Sequence, residues 1–169
     1  MVLEICLKIG CLNMLNNYEV TEDVREFILG GKADFTILQE RTDKTPEQQY
    51  KYRVTIPKDA EPSTTPVWYV SAELDNTNSG VEVDGKNLKY QGYLKRDLSF
   101  NVGAKGIENY NQKSINGLIW VLSHSKNLPS AVHIYHHGKC SVCGRKLTDA
   151  KSLRCGVGPT CRKRVGISD

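Results

Sequence analysis

The sequence predicts an α+β protein: a small, mostly antiparallel sheet with two helices and a C-terminal zinc-knuckle module. Three observations predict it. Short β-type segments recur between turn residues, without the βαβα alternation of a parallel sheet. Two stretches place apolar residues at helical spacing. Four of the six cysteines crowd into CSVCGRKLTDAKSLRCGVGPTC at 140–161. With 169 residues, 39% of them hydrophobic and 25% charged, the chain is long enough to bury one core. No apolar run approaches the roughly 18 residues that span a bilayer, so no membrane role is expected.

The N-terminal MVLEICLKIGCLNM is mildly apolar. It lacks a basic leader and is broken by Glu4, Lys8 and Gly10, so a secretory signal is not expected. Met14 is an alternative start. An intracellular chain keeps its thiols reduced. Thr21-Glu22-Asp23 opens a short helix, with Thr21 as cap, Val24, Phe27 and Ile28 on one face and Gly30-Gly31 as the stop. ADFTILQE gives a strand over 33–39, and the polar residues 41–49 read as a loop. YKYRVTI at 50–56 alternates, setting Tyr50, Tyr52, Val54 and Ile56 against Lys51, Arg53 and Thr55. The proline-bearing stretch 57–66 is a loop before the strand VWYVSAEL at 67–74 and the turn at 75–80. Further strands follow at 87–94 and 97–102. Ile115, Leu118, Ile119 and Leu122 behind Ser114 give a helix over 114–126, and AVHIYHH gives a last strand at 131–137. The organisation read from this is an extension at 1–20, an α+β body at 21–137 and a cysteine module at 138–169.

Charge divides the chain the same way. Between Lys139 and Val165 eight basic side chains face Asp149 alone, a net of +7 that leaves −3 for the rest. Cys140 and Cys143, two residues apart and followed by Gly144, form a knuckle able to grip a tetrahedral ion. Cys161, after Pro159 and at the head of a short helix PTCRKRV, is the third ligand. Spacing leaves the fourth open between Cys155 and His136, with Cys155 slightly ahead. A redox C-x-x-C would sit in a βαβ context that is absent here, and a disulfide conflicts with a reducing compartment. The expected cofactor is therefore one structural Zn2+ per chain.

The segment resembles the C-terminal module of a family of small phage and prophage proteins without an assigned function, whose pattern runs H-x-G-x-C-x-x-C-G-R-x-L-T-x-P-x-S…G-I-G-P-x-C. His136, Gly138, Cys140, Cys143, Gly144, Arg145, Leu147, Thr148, Ser152, Gly156, Gly158, Pro159 and Cys161 match it; Ala150 and Val157 depart from it. Pieces upstream, from about residue 25, are also similar to the longer members. The resemblance implies expression in a bacterial host cytoplasm and zinc. It also moves the fourth ligand to His136, giving His136, Cys140, Cys143 and Cys161 with Cys155 in reserve.

No nucleophile elbow, paired-carboxylate spacing or nucleotide-binding glycine motif is present, so the chain is read as non-enzymatic. His124 is expected on a solvent-facing helix side, and His133, Tyr135 and His137 on one polar strand face. The leading function is nucleic-acid contact by Arg145, Lys146, Arg154, Arg162, Lys163 and Arg164, with backbone amides at 156–161 as further phosphate donors. Single-stranded DNA or RNA is preferred over specific duplex, with Tyr50, Tyr52, Trp68, Tyr69, Tyr90 and Tyr93 as candidate stacking faces. The rival function is inhibition of a bacterial host protein. Convergence of Arg154, Arg162, Lys163 and Arg164 on one face would favour nucleic acid; their scatter, with an exposed apolar patch on the body, would favour docking.

Overall fold

A computed structural model describes residues 17–44, 46–73 and 88–168. The readings made for residues 1–16 and for the turn at 75–80 lie outside these. Among the described residues seven strands form one sheet: β1 (Tyr18–Glu19), β2 (Lys32–Glu40), β3 (Pro46–Thr55), β4 (Val67–Glu73), β5 (Leu88–Lys95), β6 (Phe100–Val102) and β7 (Val132–His136). Their order is β1-β7-β2-β3-β4-β5-β6, and each neighbouring pair is antiparallel. Four helices accompany them among the described residues: α1 (Val24–Ile28), α2 (Gln112–Ser123), α3 (Ala150–Cys155) and α4 (Arg162–Val165). The α+β class and the antiparallel sheet stand. The sheet is larger than the small one expected, with β1 added to the six strands read from the sequence, and among the described helices α3 is the one not expected.

One face of the sheet carries the core. Phe35, Tyr52, Val54, Trp68, Val70, Leu94 and Ile134 pack with Phe27 and Ile28 of α1 and Ile115, Leu118 and Leu122 of α2. This is the period-2 pattern of the strands meeting the 3.6 period of two helices. Two buried polar atoms fix the helices over the sheet. Tyr52 Oη donates to Ser114 O at 2.7 Å and Trp68 Nε1 to Leu29 O at 2.9 Å. Tyr50, Tyr52 and Trp68 are thus core, whereas Tyr69 is 39% exposed with Tyr90 edge-on against it.

Several expected boundaries move. The loop placed at 41–49 gives way to β3 from Pro46 onward, because Gln48 and Gln49 join the ladder opposite Gln39 and Leu38. Pro46, opposite Glu40, is the first residue of β3, a position where a missing N–H is tolerated. Of 97–102 only Phe100–Val102 is strand. Asp97 Oδ1 accepts Ser99 N at 3.0 Å and Ser99 Oγ at 2.6 Å, an Asx turn that ends the ladder. Asp23, in the left-handed region with φ 53° and no side-chain cap bond, replaces Thr21 as the N-cap of α1. Asn111, accepting Ser114 N at 3.2 Å, replaces Ser114 as that of α2. Lys51, placed on the outer face, is buried there beside Glu73 at 3.9 Å.

Gln91 explains how the chain reaches α2. A register shift sits in the β4–β5 ladder where Gln91 falls, and its side chain turns inward to full burial. Nε2 donates to Asn109 O at 2.7 Å, and Oε1 accepts Asn111 N at 2.7 Å. One buried amide therefore satisfies the backbone ahead of the α2 cap.

Candidate metal centre

The cysteine segment folds as a hairpin followed by two short helices. Lys139 and Lys146 bridge antiparallel; Cys140 N donates to Arg145 O at 2.8 Å and Gly144 N to Cys140 O at 2.9 Å. The knuckle turns through Gly144 in the left-handed region, φ 77°, a conformation glycine takes without steric cost. Asp149 caps α3 by accepting Ser152 N at 3.0 Å, and Gly156 ends it at φ 68°. Gly158 O then accepts both Cys161 N and Arg162 N, which turns Cys161 back toward the knuckle.

This brings Cys140, Cys143 and Cys161 together, with Sγ atoms within 4.8 Å of one another. Three sulfurs bound at about 2.3 Å to one tetrahedral ion lie about 3.8 Å apart, so the group can hold a metal. Cys140 and Cys161 are buried among Val142, Leu147, Val157 and Ile167, while Cys143 is half-buried. Backbone N–H groups aim at the sulfur of Cys140, from Gly158 at 3.3 Å and Val142 at 3.4 Å. Burial opposes ionisation of Cys140, but these amides and that of Cys143 outweigh it and lower its pKa. Burial and the neighbouring Cys140 push Cys161 up to about 11. A dication among the three would turn this balance over and leave all of them as thiolates.

Neither candidate fourth ligand joins the group. His136 Nδ1 accepts Gly138 N at 3.0 Å, so Nε2 carries the proton and donates to Leu153 O at 2.8 Å. Burial lowers its pKa and keeps it neutral. Both ring nitrogens are thus committed to backbone, and the H-x-G of the motif is a turn that ties β7, the knuckle and α3 together. Cys155 points away too, its sulfur against Val157 O at 3.4 Å and Ser152 O at 3.8 Å. Replacing His136 with Gln is expected to leave metal content per chain unchanged in elemental analysis. It should lower stability by about 1–3 kcal/mol for two disturbed buried hydrogen bonds. Loss of the metal on this change would restore His136 as a ligand.

The six expected nucleic-acid residues do not share one face. Arg162 is buried and reaches Ser152 Oγ at 2.8 Å and Asp149 at 3.3 Å. Arg154 pairs with Glu22 at 3.2 Å, and Arg164 with Glu61 at 2.8 Å. These arginines stitch the module to itself and to the body. Arg145, Lys146 and Lys163 remain exposed. The amides at 156–161 are partly spent as well: Gly158 N serves Cys140, and Gly156 N and Cys161 N close turns. His124 is exposed beside Trp120. His133 lies 2.7 Å from Glu19 and 3.3 Å from Glu40, pinning edge strand β1 to its neighbours.

Residues 131–166 match the model of a family of unknown function, DUF6011. The match spans β7 and the whole cysteine module, including all three clustered sulfurs. No curated protein matches the chain, and no solved structure does. Among the described residues no helix is long and apolar enough to cross a membrane. The DUF6011 segment is therefore the part of the chain that carries both the family likeness and the candidate metal centre.

Proposed function

We propose that this chain is a zinc-stabilised, non-enzymatic accessory protein of phage type, acting in the bacterial host cytoplasm and contacting nucleic acid through its C-terminal module. Three soft thiolates favour zinc over the hard cations. Three cysteines are one short of the four ligands of a closed zinc site; what supports a structural role is that Cys140 and Cys161 are buried within the module's own apolar cluster. The observation that carries nucleic-acid contact is the Lys139–Lys146 bridge. Bridge partners of an antiparallel pair project to the same side, so two lysines stand together, and exposed Arg145 precedes Lys146 on the same arm of the hairpin. Tyr69, exposed on β4 of the body, is one aromatic side chain on which a base can stack.

The test is a titration of the zinc-loaded protein with labelled single-stranded DNA, duplex DNA and RNA. With three phosphate contacts to a single strand, affinity should fall roughly 20-fold between about 50 and 200 mM salt. Exchanging Lys139 and Lys146 for Glu together should abolish binding and leave zinc content intact. Absence of binding at low salt would overturn the reading.

One observation favours inhibition of a host protein instead. Arg154, Arg162 and Arg164 scatter into internal pairs, and the body has an apolar groove of about 410 Å³ lined by Tyr50, Tyr52, Trp120, Val121 and Pro129. Trp120 at its rim is 41% exposed. Should nucleic acid fail to bind, Trp120 is the first residue to probe for a protein partner.

A further inference from the structure

A second cavity lies on the seam between body and module. It has about 480 Å³ of space, within the range of small-molecule sites. The body contributes Gly30–Lys32 and the loop from Ile56 to Pro62; the module contributes Val142, Cys143, Arg145 and Arg164. Two packing contacts hold the walls in place. Lys32 N donates to Ser141 O at 2.6 Å, and a Cβ added at Gly30 would overlap the side chain of Ser141.

The charge in this cavity is one-sided. Arg164 is occupied, paired with Glu61 and 4.0 Å from Cys161 Sγ, and three thiolates leave a single negative charge on a bound dication. With Arg164 spent on Glu61, Lys32, Lys58 and Arg145 remain against Asp59 and the negative charge of the loaded centre, a surplus of +1. Arg145 offers a planar fork matched to phosphate oxygens, and the two lysines offer point charges. Apolar lining comes from Ile56, Pro57, Pro62 and Val142. A cavity lined by both cations and apolar side chains suits a phosphorylated small molecule with an apolar organic part.

We propose that the seam cavity binds a phosphomonoester of nucleotide size, held at the phosphate by Arg145, Lys58 and Lys32. The inference deepens the phosphate-contact reading above and shares its premise that the module's cations face phosphate. The ligand has two sources, a free mononucleotide or the 5′-phosphate end of a strand.

The experiment is calorimetric titration of the zinc-loaded full chain with AMP, inorganic phosphate, and one oligonucleotide prepared with a 5′-phosphate or a 5′-hydroxyl. AMP should bind, and Arg145→Ala and Lys58→Ala should each weaken it roughly tenfold or more, the loss of one charge-assisted contact. Lys126→Ala, beyond the end of α2, should leave it unchanged. A 5′-phosphate preference that disappears in Arg145→Ala would assign the site to strand ends; AMP binding without it would assign it to free nucleotides. If Arg145→Ala loses zinc or folds poorly, Lys58→Ala on the body loop decides alone. Failure of AMP to bind, with no 5′-phosphate preference, would overturn the cavity proposal. Salt-sensitive binding of both oligonucleotides would in that case leave general phosphate contact standing.

Discussion

Cys161→Ser is expected to reduce bound metal from one ion per chain to none and to unfold the module. The reason is the size of the term removed. A structural zinc site contributes on the order of 10 kcal/mol to the folding of a small module, comparable to the whole stability of an ordinary domain. The module's own cluster is modest, with Val142, Leu147, Val157 and Ile167 as its buried aliphatic side chains. That cluster is arranged around the sulfurs, so losing the ion opens the core itself. A serine hydroxyl at 161 is a poor substitute for a soft thiolate. Chelation of the native protein should reach the same state, reversibly on return of zinc. Cys155→Ala is the matched control. It also removes a buried sulfur, but one bonded to Ser152 O and Val157 O rather than grouped with the other three. It should keep its metal and lose about 1–2 kcal/mol, the cost of a small buried side chain. Stoichiometric metal in Cys161→Ser would overturn the three-cysteine centre. Elemental analysis and thermal melts with and without chelator read both variants.

How much of this was legible beforehand depends on where each interaction's partner lies in the chain. Val24, Phe27 and Ile28, and the alternation from Tyr50 to Ile56, gave α1 and β3 because burial repeats with a local period. Cys140, Cys143 and Gly144 gave the knuckle for the same reason: ligand spacing is local. α3 had its own local signals, Asp149 as N-cap and Gly156 as C-cap. They passed unread because six residues show no apolar stripe. The arginines could not be placed from sequence. Arg154 pairs with Glu22 across 132 residues and Arg164 with Glu61 across 103, so a count of +7 describes the segment but not its surface. Likewise the spacing H-x-G-x-C is equally good for a ligand or for a histidine that hydrogen-bonds its own turn. Only the position of Leu153 O, seventeen residues on, separates the two.

Gly156→Ala should be among the most damaging single-atom changes in the chain that leave every charge and every sulfur in place. Gly156 ends α3 at φ 68°, where an alanine costs about 1 kcal/mol in backbone strain. The larger cost is steric: a Cβ there would overlap the ring of Phe27. Phe27 cannot yield easily. It is 1% exposed, edge-on to Phe35 and 5.4 Å from the ring of His136. Overpacking of this kind costs about 1–3 kcal/mol, so the two effects together reach about 2–4 kcal/mol and lower Tm by roughly 4–16 °C in a chain of this size. Gly144→Ala separates the terms. Its φ is 77°, yet nothing lies within 4 Å of the added carbon, so it should cost about 1 kcal/mol, the strain alone. Equal losses in the two variants would mean that the module does not press on α1 at Gly156. A much larger loss at 156, with metal content unchanged in both, would show that body and module share one packed seam. The candidate metal centre would then be fastened to the sheet through Phe27 as well as through β7.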